Sequence, residues 1–196
     1  MKILITGGSG FIGTNLIDCF LKKQFKILNL DINPPRNHAH INLWKQLNIC
    51  DYKFLSKSVI DFNPDFVVHL AAKTDLNGKS LTDYDANVKG VENIMKISKD
   101  IPALKRVIIA SSMLVCKIGY KPKSFEDYKP DTIYGESKVL TEKIVKKYKI
   151  DWVIVRPTSI WGPWFGAPYK KFFELVLKGY YFNIPKSKSA TKTFGY

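Results

Sequence analysis

At 196 residues with 45% apolar content, the chain can build one full domain, or one and a fraction. It has no apolar run of about 18 residues, which excludes a membrane-spanning helix. Its three widely spaced cysteines, Cys19, Cys50 and Cys116, fit neither a disulfide framework nor a metal site. The net charge of +14 is concentrated in residues 101–196 (+11), yet only three of the 31 basic residues are arginine. Solvated lysine faces therefore explain it better than a nucleic-acid partner, for which no motif is present, and it is compatible with an acidic small-molecule ligand.

The chain opens directly on Ile3, Leu4 and Ile5, read as a strand buried on both faces of a parallel sheet. No cleavable signal pattern precedes it, which predicts a cytoplasmic protein. A helical pattern starts near Phe11 and runs through Leu16, Ile17 and Phe20. Between strand and helix, Gly7, Gly10 and Gly13 form a GxxGxxG spacing. Gly7 permits the tight turn, Gly10 lets a pyrophosphate approach the backbone, and Gly13 lets helix and strand pack closely. The first helical turn, at Phe11 and Ile12, offers free N–H groups and the positive end of the helix dipole to the phosphates. A second strand, Phe25 to Leu30, ends at Asp31, 18 residues after Gly13. A carboxylate there accepts hydrogen bonds from the adenosine ribose hydroxyls and repels a 2′-phosphate. NAD is thus favoured over NADP, although Arg36 lies only five residues on.

Strand and helix patterns then alternate. A third strand is expected at Ile41 to Leu43, a turn at Asp51, and a helix over Tyr52–Asp61 that stops before Asn63-Pro64. Asp65 to Leu70 reads as the fourth strand, with His69 packed in the core. The small residues Ala71 and Ala72 at its end let a dinucleotide pass close to the backbone. A long helix is predicted over Leu81–Lys99. The fifth strand is Arg106–Ala110, with Ser111 and Ser112 at its C-terminal tip, and a Lys/Pro-rich excursion follows over Lys117–Pro130. A further helix runs from Asp131-Thr132 to Tyr148, and a sixth strand, Trp152–Val155, closes at Arg156-Pro157. This alternation predicts an α/β fold, a doubly wound parallel sheet of Rossmann type, over residues 1–160. Residues 158–196 lose the alternation and are rich in aromatics, Pro and Gly.

Tyr134-Gly135-Glu136-Ser137-Lys138 opens the helix after the fifth strand. A Tyr and a Lys at i and i+4 share one helical face, about 5–6 Å apart at Cβ. A lysine cation so placed is expected to lower the phenol's pKa from near ~10 toward working pH. The tyrosine could then remove or return a hydroxyl proton while hydride moves to or from a nicotinamide. Ser112, at the tip of the neighbouring strand, can hydrogen-bond the same substrate oxygen.

Together these residues give the chain a family resemblance. It resembles the extended short-chain dehydrogenase/reductase family, in its NAD-dependent sugar-nucleotide epimerase/dehydratase branch. The matching stretches are Thr6 to Gly13, Asp31, Asp51, His69 to Ala72, Asn87 to Gly90, Ser111-Ser112, Tyr134 to Lys138 and Arg156-Pro157. The resemblance implies Ser112, Tyr134 and Lys138 as catalytic residues, and Asp51 near the adenine. It further implies Ala71 and Ala72 along the dinucleotide, Lys138 on the nicotinamide ribose, Pro157 and Thr158 beside the nicotinamide, and Asn87 as a buttress. It also implies a homodimer built from the helices over 81–99 and 134–148, although their apolar stripes are equally explained by packing on their own sheet.

The sequence departs from the family pattern at three places. Val115-Cys116-Lys117 replaces the usual Val-Tyr-Gly, and Cys116 reads as a small substitute for the tyrosine. Met113-Leu114 stands where dehydratases carry an Asp-Glu pair, which disfavours dehydration. The chain also ends at Tyr196, whereas the family's resemblance extends over a longer span. Residues 161–196 are accordingly read as an incomplete substrate-binding segment, with Lys170, Lys171 and Lys178 as surface lysines. The expected function is an NAD-dependent oxidoreductase or epimerase acting on a nucleotide-activated sugar. The alternative is a catalytically inactive NAD-binding module or sensor.

Overall fold

Six strands form one all-parallel sheet. They are β1 (Lys2–Thr6), β2 (Lys26–Asp31), β3 (Trp44–Gln46), β4 (Phe66–His69), β5 (Arg106–Ala110) and β6 (Trp152–Val155), in the order β3-β2-β1-β4-β5-β6. The structure, a computed structural model, describes residues 1–166, 169–180 and 194–195. The register sets Leu4 beside Leu28 and Val67, and Val67 beside Val107. The chain leaves β1 in one direction for β2 and β3, and returns to the other side of β1 for β4, β5 and β6. A crevice therefore opens between the C-terminal ends of β1 and β4, where ligands bind in open α/β sheets.

The helices are α1 (Phe11–Lys22), α2 (Tyr52–Phe62), α3 (Asp85–Ser98), α4 (Ile133–Val145) and α5 (Tyr169–Leu177). One face of the sheet packs against Leu55 and Val59 of α2, Val91, Ile94, Met95 and Ile97 of α3, and Val145 of α4. The other face packs against Ile17 of α1, with Ile3, Ile5, Ile27 and Val68 buried there. The apolar stripes of α3 and α4 are thus spent on their own sheet and on each other. Thr132 caps α4 by accepting the Gly135 N–H at 3.0 Å. Thr132→Ala is expected to cost about 1 kcal/mol, as the loss of an N-cap usually does, read as a lower midpoint in urea with an unchanged slope.

Strands β5 and β6 have the predicted bounds. The third strand does not: residues His38–Leu43 form a 3-10 turn, and β3 begins only at Trp44. The turn forms because Asn37 accepts the Ala39 N–H, while fully buried His40 reaches Asp18 of α1 at 2.7 Å. The predicted helix over 81–99 is divided into a 3-10 turn, Leu81–Tyr84, followed by α3. A separate two-stranded parallel ladder joins β7 (Ser159–Ile160) to β8 (Phe194–Gly195). The rest of the expected approach to a strand over 191–196, and the part of the substrate segment after Tyr180, lie outside the described residues.

Strand β6 is an edge of the sheet. Its Trp152 and Ile154 pack toward α4, but Val153 and Val155 point to the opposite face and are 37% and 46% exposed. Apolar Phe172, Leu175 and Leu177 of α5 are exposed as well. No helix among the described residues is long and apolar enough to cross a membrane.

Candidate active site

A cavity of about 1070 Å³ fills the crevice at the C-terminal ends of the strands. Its floor at one end is the turn after β1. Gly7 takes φ +74°, and a Cβ there would lie 2.5 Å from the Ala71 backbone nitrogen. Gly13 is equally constrained, since a Cβ would sit 2.4 Å from the Gly8 Cα. Gly10 is different: its Cβ would meet only the Gly7 carbonyl, at 3.2 Å, and its face opens on the cavity. Helix α1 starts here without a side-chain cap. The first-turn N–H groups at Phe11, Ile12 and Gly13 have no intrahelical partner, and these residues line the cavity.

Asp31, at the end of β2, accepts the Ser9 and Asn33 backbone N–H groups, each at 3.0 Å. Two donors fix the carboxylate and leave acceptor capacity facing the cavity. Ala71 and Ala72 line the opposite wall. Arg36 donates to the Trp164 carbonyl at 2.5 Å, so its guanidinium is tied to the 158–166 segment. Asp51 does not line this cavity. It caps α2 by accepting the Phe54 N–H, and the adjoining wall is made by Leu47, Asn48 and Ile49.

At the other end, Ser112, Tyr134 and Lys138 converge with Pro157 and Thr158. The Ser112 hydroxyl accepts the Leu114 N–H at 3.1 Å, and its own hydrogen is directed at the Tyr134 phenol. The Tyr134 ring stands edge-on to Tyr84, centroids 5.8 Å apart. Tyr84 is held by donating to the Asp75 carbonyl and accepting the Gly78 N–H. The Lys138 Nζ lies 5.8 Å from the Tyr134 ring centre and donates to the Ala110 carbonyl at 3.0 Å.

The expected electrostatics of this pair need correction. Burial pushes the Tyr134 phenol above its ordinary value, with the Ser112 hydroxyl pulling the other way. Lys138 does not lower it, because the ammonium is turned to the β5 carbonyl. Burial in turn pushes Lys138 down to about 8, with the Glu142 charge holding it up. His69 is packed as expected: it pairs with the Thr6 hydroxyl at 2.7 Å, and burial holds it down to about 3, so it is neutral. Cys116 is buried with Val115 and Val139, away from the cavity. Asn87 brackets the Lys73 peptide, accepting its N–H at 2.7 Å and donating to its carbonyl at 3.0 Å.

Several lining residues were not singled out from the sequence as ligand-facing, among them Lys73, Thr74, Leu47, Asn48 and Ile49. Their signal was positional: each follows the C-terminal end of a strand, where ligands gather in this architecture. Among the described residues no group of three or more His, Cys, Asp or Glu could hold a metal ion.

Comparison with known proteins adds to this geometry. The sequence profile of the NAD dependent epimerase/dehydratase family matches residues 3–187. A 3 beta-hydroxysteroid dehydrogenase/Delta 5-->4-isomerase of Mycobacterium tuberculosis is 30% identical, the match covering 96% of this chain and 55% of that protein. A UDP-glucose 4-epimerase of Vibrio cholerae is 31% identical, covering 91% of this chain and 57% of that one. The chain thus spans about half the length of these curated relatives. Among solved structures, the Bordetella bronchiseptica enzyme WbmG in complex with NAD superposes with a TM-score of 0.76 at 26% identity, covering 91% of this chain and 60% of WbmG.

Proposed function

The chain belongs to the NAD dependent epimerase/dehydratase family, and from that premise we propose that it binds NAD in the crevice and uses Ser112, Tyr134 and Lys138 to move a proton at a hydroxyl of a nucleotide-activated sugar. One observation carries the reading: a single cavity has the glycine turn and Asp31 at one end and these three side chains at the other. The open face of Gly10 and the uncapped start of α1 fit a pyrophosphate. Asp31 suits the adenosine ribose, and Lys138 the nicotinamide ribose. Ala71, Ala72 and Pro157 would flank the dinucleotide.

When bound, NAD supplies the hydride acceptor. Ser112, hydrogen-bonded to Tyr134, would turn its hydroxyl hydrogen to the reacting substrate oxygen and hold that oxygen beside Tyr134. Burial keeps Tyr134 protonated, so it is ready to donate to a ketone oxygen. The reverse transfer, from alcohol to phenolate, requires the Lys138 charge to act on the phenol rather than on Ala110. Oxidation, re-presentation of the opposite face of the ketone and reduction would invert one sugar carbon. The polar lining of this end, with Lys73, Thr74, Ser112 and Thr158, suits a hydroxylated, anionic substrate better than an apolar sterol.

A titration with NADH, followed by tryptophan-to-nicotinamide energy transfer, tests the cofactor reading, with NADPH alongside. Saturable NADH binding that exceeds NADPH binding is expected, and equal affinities would refute the role given to Asp31. Asp31→Asn is expected to narrow the preference about tenfold, one charge interaction being worth about 1.4 kcal/mol when partly buried. NADH binding without turnover of UDP-sugars would support the alternative of a dinucleotide-binding module.

A further inference from the structure

Glu142 lies one helical turn beyond Lys138 on α4 and is fully buried, a place where a carboxylate is almost never found unpaired. Its two oxygens accept four hydrogen bonds. Oε1 accepts from the Ser111 hydroxyl at 2.5 Å and from Arg156 Nε at 2.8 Å. Oε2 accepts from Arg156 Nη2 at 2.7 Å and from the Tyr128 hydroxyl at 2.9 Å. Every acceptor site of the carboxylate is therefore used.

The donors come from three separate segments. Ser111 directly follows β5 and precedes Ser112. Arg156 directly follows β6 and precedes Pro157. Tyr128 belongs to the excursion between β5 and α4, and Arg156 also lies over the Phe125 ring at 3.8 Å. Ser112 and Pro157 both line the cavity, and α4 itself carries Tyr134 and Lys138, eight and four residues before Glu142 on the same face. One carboxylate thus joins the three walls of the reactive end. Stability is a poor reason to keep it, because desolvation of a buried ion pair offsets most of its attraction.

We propose that Glu142 is a positioning residue for the reactive end of the cavity: ion-paired with Arg156, it ties α4 to the tips of β5 and β6, and as the anion one helical turn away it helps keep the Lys138 ammonium charged. This rests on the reading above for the role of Lys138. The groups facing Lys138 from the packed elements are few. Tyr134 and Glu142 stand on its own helix, Ala110 ends β5 with Ser112 just beyond it, and neutral His69 lies on β4; Tyr84 meets it only through Tyr134, and the Arg156 cation stands beyond Glu142 as that carboxylate's partner. Glu142 is the anion among them. Removing its charge takes away what opposes the burial that draws Lys138 down to about 8, and leaves the Arg156 cation without its carboxylate.

The test is the titration of Lys138 in the 196-residue chain carrying ¹³C-labelled lysine, followed by NMR with no cofactor present. In Glu142→Gln the Lys138 midpoint is expected to fall by about one pH unit, a tenfold loss of proton affinity. The alkaline limit of NADH binding should fall with it. Ser111→Ala removes one hydrogen bond and keeps the charge, so it should leave the midpoint in place. A wild-type midpoint in Glu142→Gln, or an equal shift in Ser111→Ala, overturns the proposal. If Glu142→Gln shows no cooperative melt, the double variant Glu142→Gln/Arg156→Met decides, since it leaves no unpaired buried charge; a downward shift, smaller because the Arg156 cation goes as well, supports the proposal and none overturns it. Failure of the wild-type chain to bind NADH would refute the cofactor reading instead, and the NMR midpoint would still report on Glu142.

Discussion

Tyr134→Phe is expected to lower turnover of the preferred nucleotide sugar by about a hundred- to ten-thousandfold, the range a positioned acid–base group supplies. NADH affinity should stay within a factor of about two, because the role proposed for the phenol is at the reacting oxygen and not at the cofactor phosphates. The ring itself remains, so the edge contact with Tyr84 and the packing of α4 survive. Loss of the hydroxyl also relieves its burial, so the variant should melt no lower than the wild type. Retained turnover would remove Tyr134 from the mechanism. Loss of NADH binding together with turnover would instead mean that the ring supports the nicotinamide.

The second large effect separates two glycines that look equivalent in the sequence. Helix propensity alone would make Gly13→Ala stabilising by about 1 kcal/mol. The structure reverses the sign, since the new Cβ would meet the Gly8 Cα at 2.4 Å and the Gly7 carbonyl at 2.6 Å, all backbone atoms. Overpacking that no side chain can relieve costs about 3 kcal/mol or more, and this one forces the turn off the end of α1. Gly10→Ala meets only the Gly7 carbonyl at 3.2 Å, so it should fold with nearly wild-type stability. Its methyl group enters the cavity, however, and NADH binding should weaken at least about tenfold. Urea unfolding and NADH titration on both variants distinguish a packing glycine from a ligand-facing one. Equal stability of Gly13→Ala and wild type would refute the packing assignment.

How much of this was legible in the sequence depends on how local each signal is. Arg106–Ala110 and Trp152–Val155 were bounded correctly because each carries a short, continuous apolar run rich in β-branched residues and ended by polar or turn residues. The turn from Gly7 to Gly13, Asp31 and the Tyr134–Lys138 pair were legible because their spacing is fixed by one strand, one turn or one helical face. The 3-10 turn over His38–Leu43 was not, since it depends on His40 reaching Asp18 on another element. The direction of the Lys138 ammonium was missed for a similar reason: helical spacing places it near Tyr134, but the Ala110 carbonyl that receives it is 28 residues earlier. Glu142 was the least legible of all. A glutamate on a helix reads as solvated until Ser111, Tyr128 and Arg156 are seen to enclose it.

The uncovered side of β6 carries a consequence for how the chain behaves in a test tube. Among the described residues no strand pairs with the outer edge of β6 beside Val153 and Val155, the arrangement by which sheets of different molecules join edge to edge. Opposing that contact is the net charge of +14, which keeps like copies apart over a distance set by ionic strength. Raising salt from about 0.01 M to 0.15 M shortens that reach from roughly 30 Å to 8 Å, while the attraction between apolar edges is undiminished. The colloidal stability of this chain therefore declines as salt is added, and dilute, low-salt buffer is its natural solvent.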